Sequence, residues 1–228
     1  LENRQYQNHL EEMVASQVAE MTRMQDEVIT GIANLIESRD GSTGLHVKNT
    51  QNYVQILTKA LREKGMYPDI LDHNYELNTV KASVLHDIGK IKTPDAILLK
   101  PGRLTDEEFE VMKQHTVAGC EIIDRIIGNV EHEEYVDIAR KIARYHHERW
   151  DGTGYPDGLS GEEIPLCARI MALADVFDAL YQDRCYKKAI RPASKVFEII
   201  KENSGSQFDP NLTEIFLELQ REITDISE

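Results

Sequence analysis

Apolar residues recur at intervals of three and four along almost the whole 228-residue chain, which is the spacing of one face of an α-helix. The alternating pattern of a half-buried strand has almost no support, and Gly and Pro separate the periodic segments. Thr105 and Glu108 have the spacing of a capping box and mark the start of one long helix. The sequence therefore predicts an all-α fold of about seven or eight helices, with no internal repeat.

The first 36 residues carry a heptad pattern, which is typical of a coiled coil. Its positions step alternately by four and three residues, and Gln17 and Gly31 weaken it: Leu10, Val14, Gln17, Met21, Met24, Val28, Gly31 and Leu35. An ordinary amphipathic helix is the alternative for the C-terminal half, because Ile29, Ile32 and Ile36 broaden the apolar face there. We expect a connector helix over 1–36 that pairs two chains into a homodimer, and a domain over 37–228.

The charge of the chain argues against several kinds of partner. Acidic residues outnumber basic ones by 40 to 26, which gives a formal net charge of -14. Binding of DNA or RNA through phosphates, and docking on an anionic membrane, both depend on Lys and Arg. No apolar run approaches the roughly 18 residues of a membrane span. We expect a cytoplasmic protein that binds neither nucleic acid nor membrane.

Five of the eight histidines lie near helix ends or in polar motifs: His46, His86, His115, His146 and His147. Asn78 or Thr79 is expected to begin a helix that continues through His86 and Asp87 to Gly89, with Lys90 on a neighbouring part of the same face. The adjacent pair His146 and His147 can both point inward only from an unwinding final turn, and a loop rich in Gly and Pro follows at once.

Two carboxylates lie on an otherwise apolar helix, in the segment IMALADVFDAL. Asp175 and Asp178 share a face of it, and a buried carboxylate is costly unless it binds a metal, a cation or a hydrogen-bond donor. Imidazole and carboxylate ligands together suit Mn, Fe, Zn, Ni or Co, whereas a set without Cys disfavours structural zinc. Two such ions about a bridging carboxylate would suit phosphoester hydrolysis. Scattered histidines bonded to backbone carbonyls are the alternative.

Four motifs occur in the order found in a known family: HDIGK, QHTVAG, YHHERWDGTGYPDGLSGEEIP and RIMALADVFDAL. With them, residues 37 to 224 resemble the HD-GYP subgroup of the HD metal-dependent phosphohydrolases. The resemblance implies a helical bundle of the HD type with a metal centre inside it. It also implies an enzyme that hydrolyses the bacterial second messenger cyclic di-GMP to linear pGpG, and then to GMP.

The resemblance also implies roles for individual residues. Asp87 would bridge two ions, of which one is bound by His46, His86 and Asp175 and the other by His115, His146 and His147. A hydroxide between the ions would attack phosphorus, and Lys90 would neutralise the phosphate and help protonate the leaving oxygen. The implied substrate contacts are Lys90, Asp40, Gly154, Tyr155, Pro156, Arg184 and Lys187.

One position departs from the family pattern. Some members have a Glu four residues before the first ligand His, where this chain has Ser42. We therefore expect two divalent ions rather than three, and a slow or absent second cleavage. Iron or manganese is favoured, with nickel, cobalt or zinc as alternatives.

Two other functions fit the same residues. The substrate could be a mixed cyclic GMP-AMP dinucleotide, or the domain could bind a dinucleotide or a diguanylate cyclase partner without hydrolysis. The first residues, LENRQYQNHLEEMVA, resemble the linker helix that follows a receiver domain in two-component response regulators. An upstream receiver or sensory domain is therefore expected.

Overall fold

The computed structural model describes residues 2–40, 45–128, 133–182 and 189–226, with the side chains of 2–5 and 40 left out. The described residues contain no β-strand, so the all-α prediction is confirmed. Eight of their α-helices have nine or more residues: α1 (Glu2–Glu37), α2 (His46–Glu63), α3 (His73–Ala82), α5 (Asp106–Ile127), α6 (Glu133–Tyr145), α7 (Leu166–Tyr181), α8 (Ala193–Glu202) and α9 (Pro210–Glu218). The short helices are α4 (Asp95–Leu98) and α10 (Gln220–Asp225). No helix in these ranges is both long and apolar enough to cross a membrane.

Helix α7 lies at the centre of the bundle and is buried along most of its length. It packs against α2, α6 and α8, while α5 packs along α6. Phe177 anchors this core, with its ring 5.1 Å from Tyr53 and 4.9 Å from Phe197. The bundle therefore surrounds the helix that carries Asp175.

Helix α1 has two different parts. Its apolar positions from Leu10 to Val28 are largely exposed, and Met21 retains 72% of its accessible surface. Ala33 and Ile36, near its C-terminal end, are buried in the core of the bundle. The last turns of α1 are thus packed as those of an ordinary amphipathic helix. The predicted boundary between a connector over 1–36 and a domain over 37–228 stays a prediction.

The predicted helix through His86 and Asp87 is wrong. Helix α3 begins earlier, after Asp72, whose side chain accepts a hydrogen bond from the backbone N–H of Tyr75, and it ends at Ala82. Two 3₁₀ turns follow it, Ser83–Leu85 and Ile88–Lys92. At Gly89 this segment lies so close to α5 that a Cβ atom would be 1.8 Å from a backbone carbonyl oxygen. Contact with α5 thus sets a local conformation that the sequence pattern does not encode.

Candidate metal centre

Five structural elements bring the predicted metal ligands together. His46 is the first residue of α2, His115 lies within α5, and Asp175 lies within α7. His86 and Asp87 lie between the two 3₁₀ turns, and His146 and His147 follow directly after the end of α6. The predicted unwinding after α6 is confirmed, and it allows both adjacent imidazoles to face the same cluster.

Asp87 lies at the middle of the cluster, and its two oxygens face different groups of ligands. Oδ2 lies 3.3 Å from Nε2 of His86 and 2.6 Å from Nζ of Lys90. Oδ1 lies 3.3 Å from Nε2 of His115 and 3.7 Å from Nε2 of His146. This is the arrangement that a carboxylate needs to bridge two neighbouring cations.

The ligands therefore form two groups that share Asp87. In the first group, Nε2 of His46 lies 3.4 Å from Nε2 of His86 and 3.5 Å from Oδ1 of Asp175. In the second group, the ring of His147 lies 4.1 Å from that of His146. Two sets of ligand atoms lie within 4.8 Å of one another, namely Glu37, His46, His86 and Asp87, and Asp87, His115, His146 and His147.

The orientation of four imidazole rings is fixed from behind the cluster. Nδ1 of each lies within 2.9 Å of an oxygen, and the pairs are His46 with Asp178, His86 with the Ser83 carbonyl, His115 with the Met112 carbonyl and His146 with the Ile142 carbonyl. An Nδ1–H that donates to such an oxygen leaves the Nε2 lone pair for a metal. Asp178 also accepts a hydrogen bond from Asn49 and is 1% exposed, so it is held firmly against His46.

Burial and neighbouring charge set the protonation of the ligands. Burial lowers the pKa of His115 to about 4 and holds the pKa of His147 well below its usual value, so both are neutral at pH 7. Burial alone would raise the pKa of Asp87, but Lys90 and His86 hold it well below its ordinary value. Burial disfavours the charged form of His86 as well, yet Asp87 outweighs it and raises the pKa to about 9. A metal ion bound through His86 would therefore compete with a proton for that imidazole.

Three buried atoms test whether these residues suit a metal. Oδ1 of Asp87 and Nε2 of His115 and His146 have no hydrogen-bond partner among the described residues. Leaving such atoms unsatisfied costs about 1–3 kcal/mol each, and more for a charged group. A cation between them would accept all three lone pairs. The cluster therefore fits the metal site that its residues predict.

The loop after α6 is held in place by a carboxylate. Glu148 is 3% exposed, and its side chain accepts hydrogen bonds from the backbone N–H groups of Asp157, Gly158 and Leu159. Gly154 lies against the same residue, because a Cβ atom there would lie 2.5 Å from Cα of Glu148. The loop is thus folded tightly back onto the end of α6.

This folding places Tyr155 beside the metal ligands. Its ring lies 4.8 Å from that of His147 and 5.9 Å from that of Phe109, and the next peptide bond, to Pro156, is cis. Tyr155 also lines a cavity of about 270 Å³ that reaches the cluster. The other residues of its wall are Lys90, Ile97, Leu98, Lys100, Gly102, Leu104, Met112, His115 and His147.

The structure brings together all seven predicted metal ligands, together with Lys90 and the loop residues Gly154, Tyr155 and Pro156. It does not describe Arg184, Lys187 or Ser42. Asp40 ends the 3₁₀ turn Ser38–Asp40, and its side chain lies outside the described part of the chain. The predicted roles of these four residues are therefore not tested by the geometry.

Three carboxylates near the cluster were missing from the predicted site. Asp178 has a sequence signal, its spacing of three from Asp175 on a buried face. Glu148 follows the two ligand histidines directly, which places it at the site but does not reveal its bonds to the loop. Glu37 belongs to the first ligand group although it lies nine residues before His46, and no spacing rule connects the two.

Comparisons with known proteins show the family of this chain. A sequence model described as "HD domain" matches residues 8–212. The chain belongs to the HD domain family. The family resemblance inferred from the motifs is thereby confirmed, and the His-Asp pair of HDIGK lies at the middle of the cluster.

Similar proteins include two curated ones from Vibrio cholerae. A "Probable cyclic di-GMP phosphodiesterase" is 42% identical over 97% of this chain and 50% of its own length. A "3'3'-cGAMP-specific phosphodiesterase 2" is 37% identical over 84% of this chain and 34% of its own length. The chain thus spans about half the length, or less, of these relatives. A solved HDG"Y"P protein from Bdellovibrio bacteriovorus has the same fold, with a TM-score of 0.57 at 17% identity over 88% of this chain and 63% of that one.

Proposed function

We propose that this chain is a metal-dependent phosphodiesterase that hydrolyses cyclic di-GMP to linear pGpG. The observation that carries the proposal is the position of Asp87, which turns one oxygen toward each of two groups of ligands. Two divalent ions about 3.5–4 Å apart stabilise both the attacking and the leaving oxygen of a phosphoester. The names of similar proteins supply the substrate, since a Vibrio cholerae relative is named for cyclic di-GMP.

The side chains around the cluster have distinct proposed roles. Lys90 is 2.6 Å from Asp87 and lines the cavity, so its ammonium group can turn toward a phosphate oxygen and neutralise developing charge. The same ammonium group is the proposed donor of a proton to the leaving oxygen. Tyr155 offers the flat wall on which a guanine base would stack. Asp40, Arg184 and Lys187 stay proposed substrate contacts, with Gly154 and Pro156 shaping the loop.

Two ions, iron or manganese, remain our proposal for the metal content, with nickel, cobalt or zinc as alternatives. The ligands mix imidazole nitrogen with carboxylate oxygen and include no thiolate, which suits these metals. Since Ser42 cannot supply a carboxylate, the second cleavage to GMP is proposed to be slow or absent.

Hydrolysis of cyclic di-GMP by Asp87→Asn tests the proposal. The protein is loaded with Mn²⁺ or, without oxygen, with Fe²⁺, and linear pGpG is quantified by chromatography. Wild type should turn over, whereas the asparagine variant should lose at least about a hundredfold in kcat, because its amide cannot bridge two cations. Asp69→Asn is the control, since Asp69 is exposed and remote from the cluster. Equal activity of the two variants would refute the role of Asp87.

A mixed cyclic GMP-AMP dinucleotide is the second candidate substrate. A similar Vibrio cholerae protein carries a name specific for 3'3'-cGAMP, which supports this second candidate. Comparing kcat/KM for the two dinucleotides decides between them. A metal-loaded wild type that binds cyclic di-GMP and cleaves neither would point to a non-hydrolytic module, including one that acts on a diguanylate cyclase partner.

We further propose that α1 pairs two chains into a homodimer. The exposed side chains of Leu10, Val14, Met21, Met24 and Val28 support this pairing, because they form the heptad stripe of the sequence and lie on the surface of a single chain. The connector over 1–36, an upstream receiver domain as in response regulators and a cytoplasmic location belong to the same proposal.

A further inference from the structure

The last residue of α1 lies in the metal cluster. Glu37 is 3% exposed, and one of its carboxylate oxygens lies within 4.8 Å of the ligand atoms of His46, His86 and Asp87. Its Oε1 is 3.6 Å from Nζ of Lys90. The helix that precedes the rest of the bundle therefore ends at the site of the proposed chemistry.

Two further sets of contacts fix the end of α1 near the site. Ala33 and Ile36 are buried in the core of the bundle. Two residues after Glu37, the guanidinium group of Arg39 donates hydrogen bonds to the backbone carbonyls of Lys90, Ile91 and Thr93, at 3.2–3.3 Å. The position of Glu37 is thus tied to the turn that carries Asp87 and Lys90.

Glu37 is placed to bind a metal as well as to pair with Lys90. A buried carboxylate needs nearby cations, and Lys90, 3.6 Å from Glu37 and 2.6 Å from Asp87, is a single positive charge beside two carboxylates. With Glu37, the position formed by His46 and His86 has a second carboxylate beside Asp87, and Asp175 lies 3.5 Å from His46. The other position has three imidazoles and shares only Asp87. An oxygen-rich position suits a hard cation such as Mn²⁺.

We propose that Glu37 is a ligand of the first metal position, so that α1 forms part of the metal centre rather than only leading into it. The inference rests on the proposed function in that it assumes two metal positions about Asp87. It adds that the occupancy of one position depends on where α1 ends. A displacement of α1 relative to the bundle would then empty or reshape that position.

Titration of the metal-free full chain with Mn²⁺, followed by the EPR signal of the free ion, tests this assignment. Wild type should bind two ions. Glu37→Gln should bind one ion as wild type does and the second more than about 100-fold more weakly, because loss of a carboxylate that only supports a ligand already costs about 10- to 100-fold. Glu27→Gln is the matched control, because Glu27 lies on the same helix and its side chain is 71% exposed. It should bind both ions as wild type does.

A second pair of variants tests the dependence on α1. Ile36→Ala changes no proposed ligand but removes core packing at the end of α1. It should therefore lower the affinity for Mn²⁺ at the same position. Ile200→Ala, in the core on α8, controls for general destabilisation and should leave both positions unchanged. Thermal melting of each variant confirms folding.

The outcomes separate this inference from the proposed function. If wild type binds no Mn²⁺, the proposed function itself fails. If wild type and folded Glu37→Gln both bind two ions with equal affinity, the inference fails while the proposed function stands. Equal binding with a lower rate of hydrolysis would place Glu37 on Lys90 instead, and would also overturn the assignment.

Discussion

Replacement of Glu148 by glutamine should loosen the loop that covers the metal cluster. One carboxylate oxygen accepts hydrogen bonds from the N–H groups of Asp157 and Gly158, at 2.7 and 3.0 Å, and the other accepts from Leu159 at 3.1 Å. A glutamine side chain keeps one acceptor oxygen and presents an NH₂ group where the second oxygen was. The N–H of Leu159 then faces another donor and loses its partner.

The size of the effect follows from these three bonds. A hydrogen bond to a charged group contributes about 1.5–3 kcal/mol, against about 0.5–1.5 kcal/mol between neutral groups. The variant loses one charged bond outright and weakens two others, but burial raises the pKa of Glu148, so removing the charge also relieves a desolvation cost and the net loss is about 1–3 kcal/mol. This free energy acts on the loop, which can open locally while the bundle stays folded. Since Tyr155 forms part of the cavity wall, kcat/KM should fall by at least tenfold.

Three measurements check this prediction. Hydrogen exchange at residues 150–160 should accelerate, kcat/KM for cyclic di-GMP should fall, and Mn²⁺ stoichiometry should stay as in wild type because no predicted ligand is changed. Glu163→Gln is the matched control, since that carboxylate lies in the same loop, is exposed, and bonds only to Ser160 among the described residues. Unchanged exchange and a kcat/KM within twofold of wild type in Glu148→Gln would refute the reasoning.

Three other predictions concern the centre and the connector. Asp178→Asn should weaken Mn²⁺ binding roughly 10- to 100-fold, because it removes the carboxylate behind His46; isothermal titration would measure this, and wild-type affinity would contradict it. Chelation of the metal should lower the melting temperature, and metal at about a hundred times its Kd should restore about 2.7 kcal/mol to the free energy of unfolding. An identical melting temperature with and without metal would count against a metal site in the bundle. Met21→Glu should convert the proposed dimer to a monomer in sedimentation, whereas Glu20→Gln, on a neighbouring face, should not; a monomeric wild type would refute the dimer.

The ligands that the structure brings together are implied by a family resemblance, and only some of them also lie in short local patterns. HDIGK places Asp87 and Lys90 within one turn of His86, and the adjacent pair His146 and His147 precedes a loop that ends the helix. These spacings are properties of short segments and do not depend on contacts with distant parts of the chain. The all-α class could be predicted for a similar reason, since helical periodicity is repeated in every long segment.

The rest depends on contacts between segments distant in the chain. The 3₁₀ turns around His86 and Asp87 follow from the close approach of Gly89 to α5, which no local propensity reports. Glu37, at the end of α1, and Glu148, three residues after the end of α6, look like ordinary surface acids until the bundle closes over them. A residue in a local pattern can be identified from the sequence, whereas one that becomes buried only through tertiary packing cannot.

The length of α1 bears on what an incoming signal could do. At about 1.5 Å per residue, its 36 residues make a rod about 54 Å long, held near one end by Ile36. If such a rod tilts by about 5° about a pivot at Ile36, its far end moves by about 4–5 Å. Glu37, one residue from the pivot, moves only by tenths of an ångström. A turn of the rod by the same angle of about 5° about its own long axis moves a side-chain tip about 5–6 Å from that axis by only about 0.5 Å, so a swing of several ångströms at the far end reaches the cluster as a sub-ångström shift of the carboxylate.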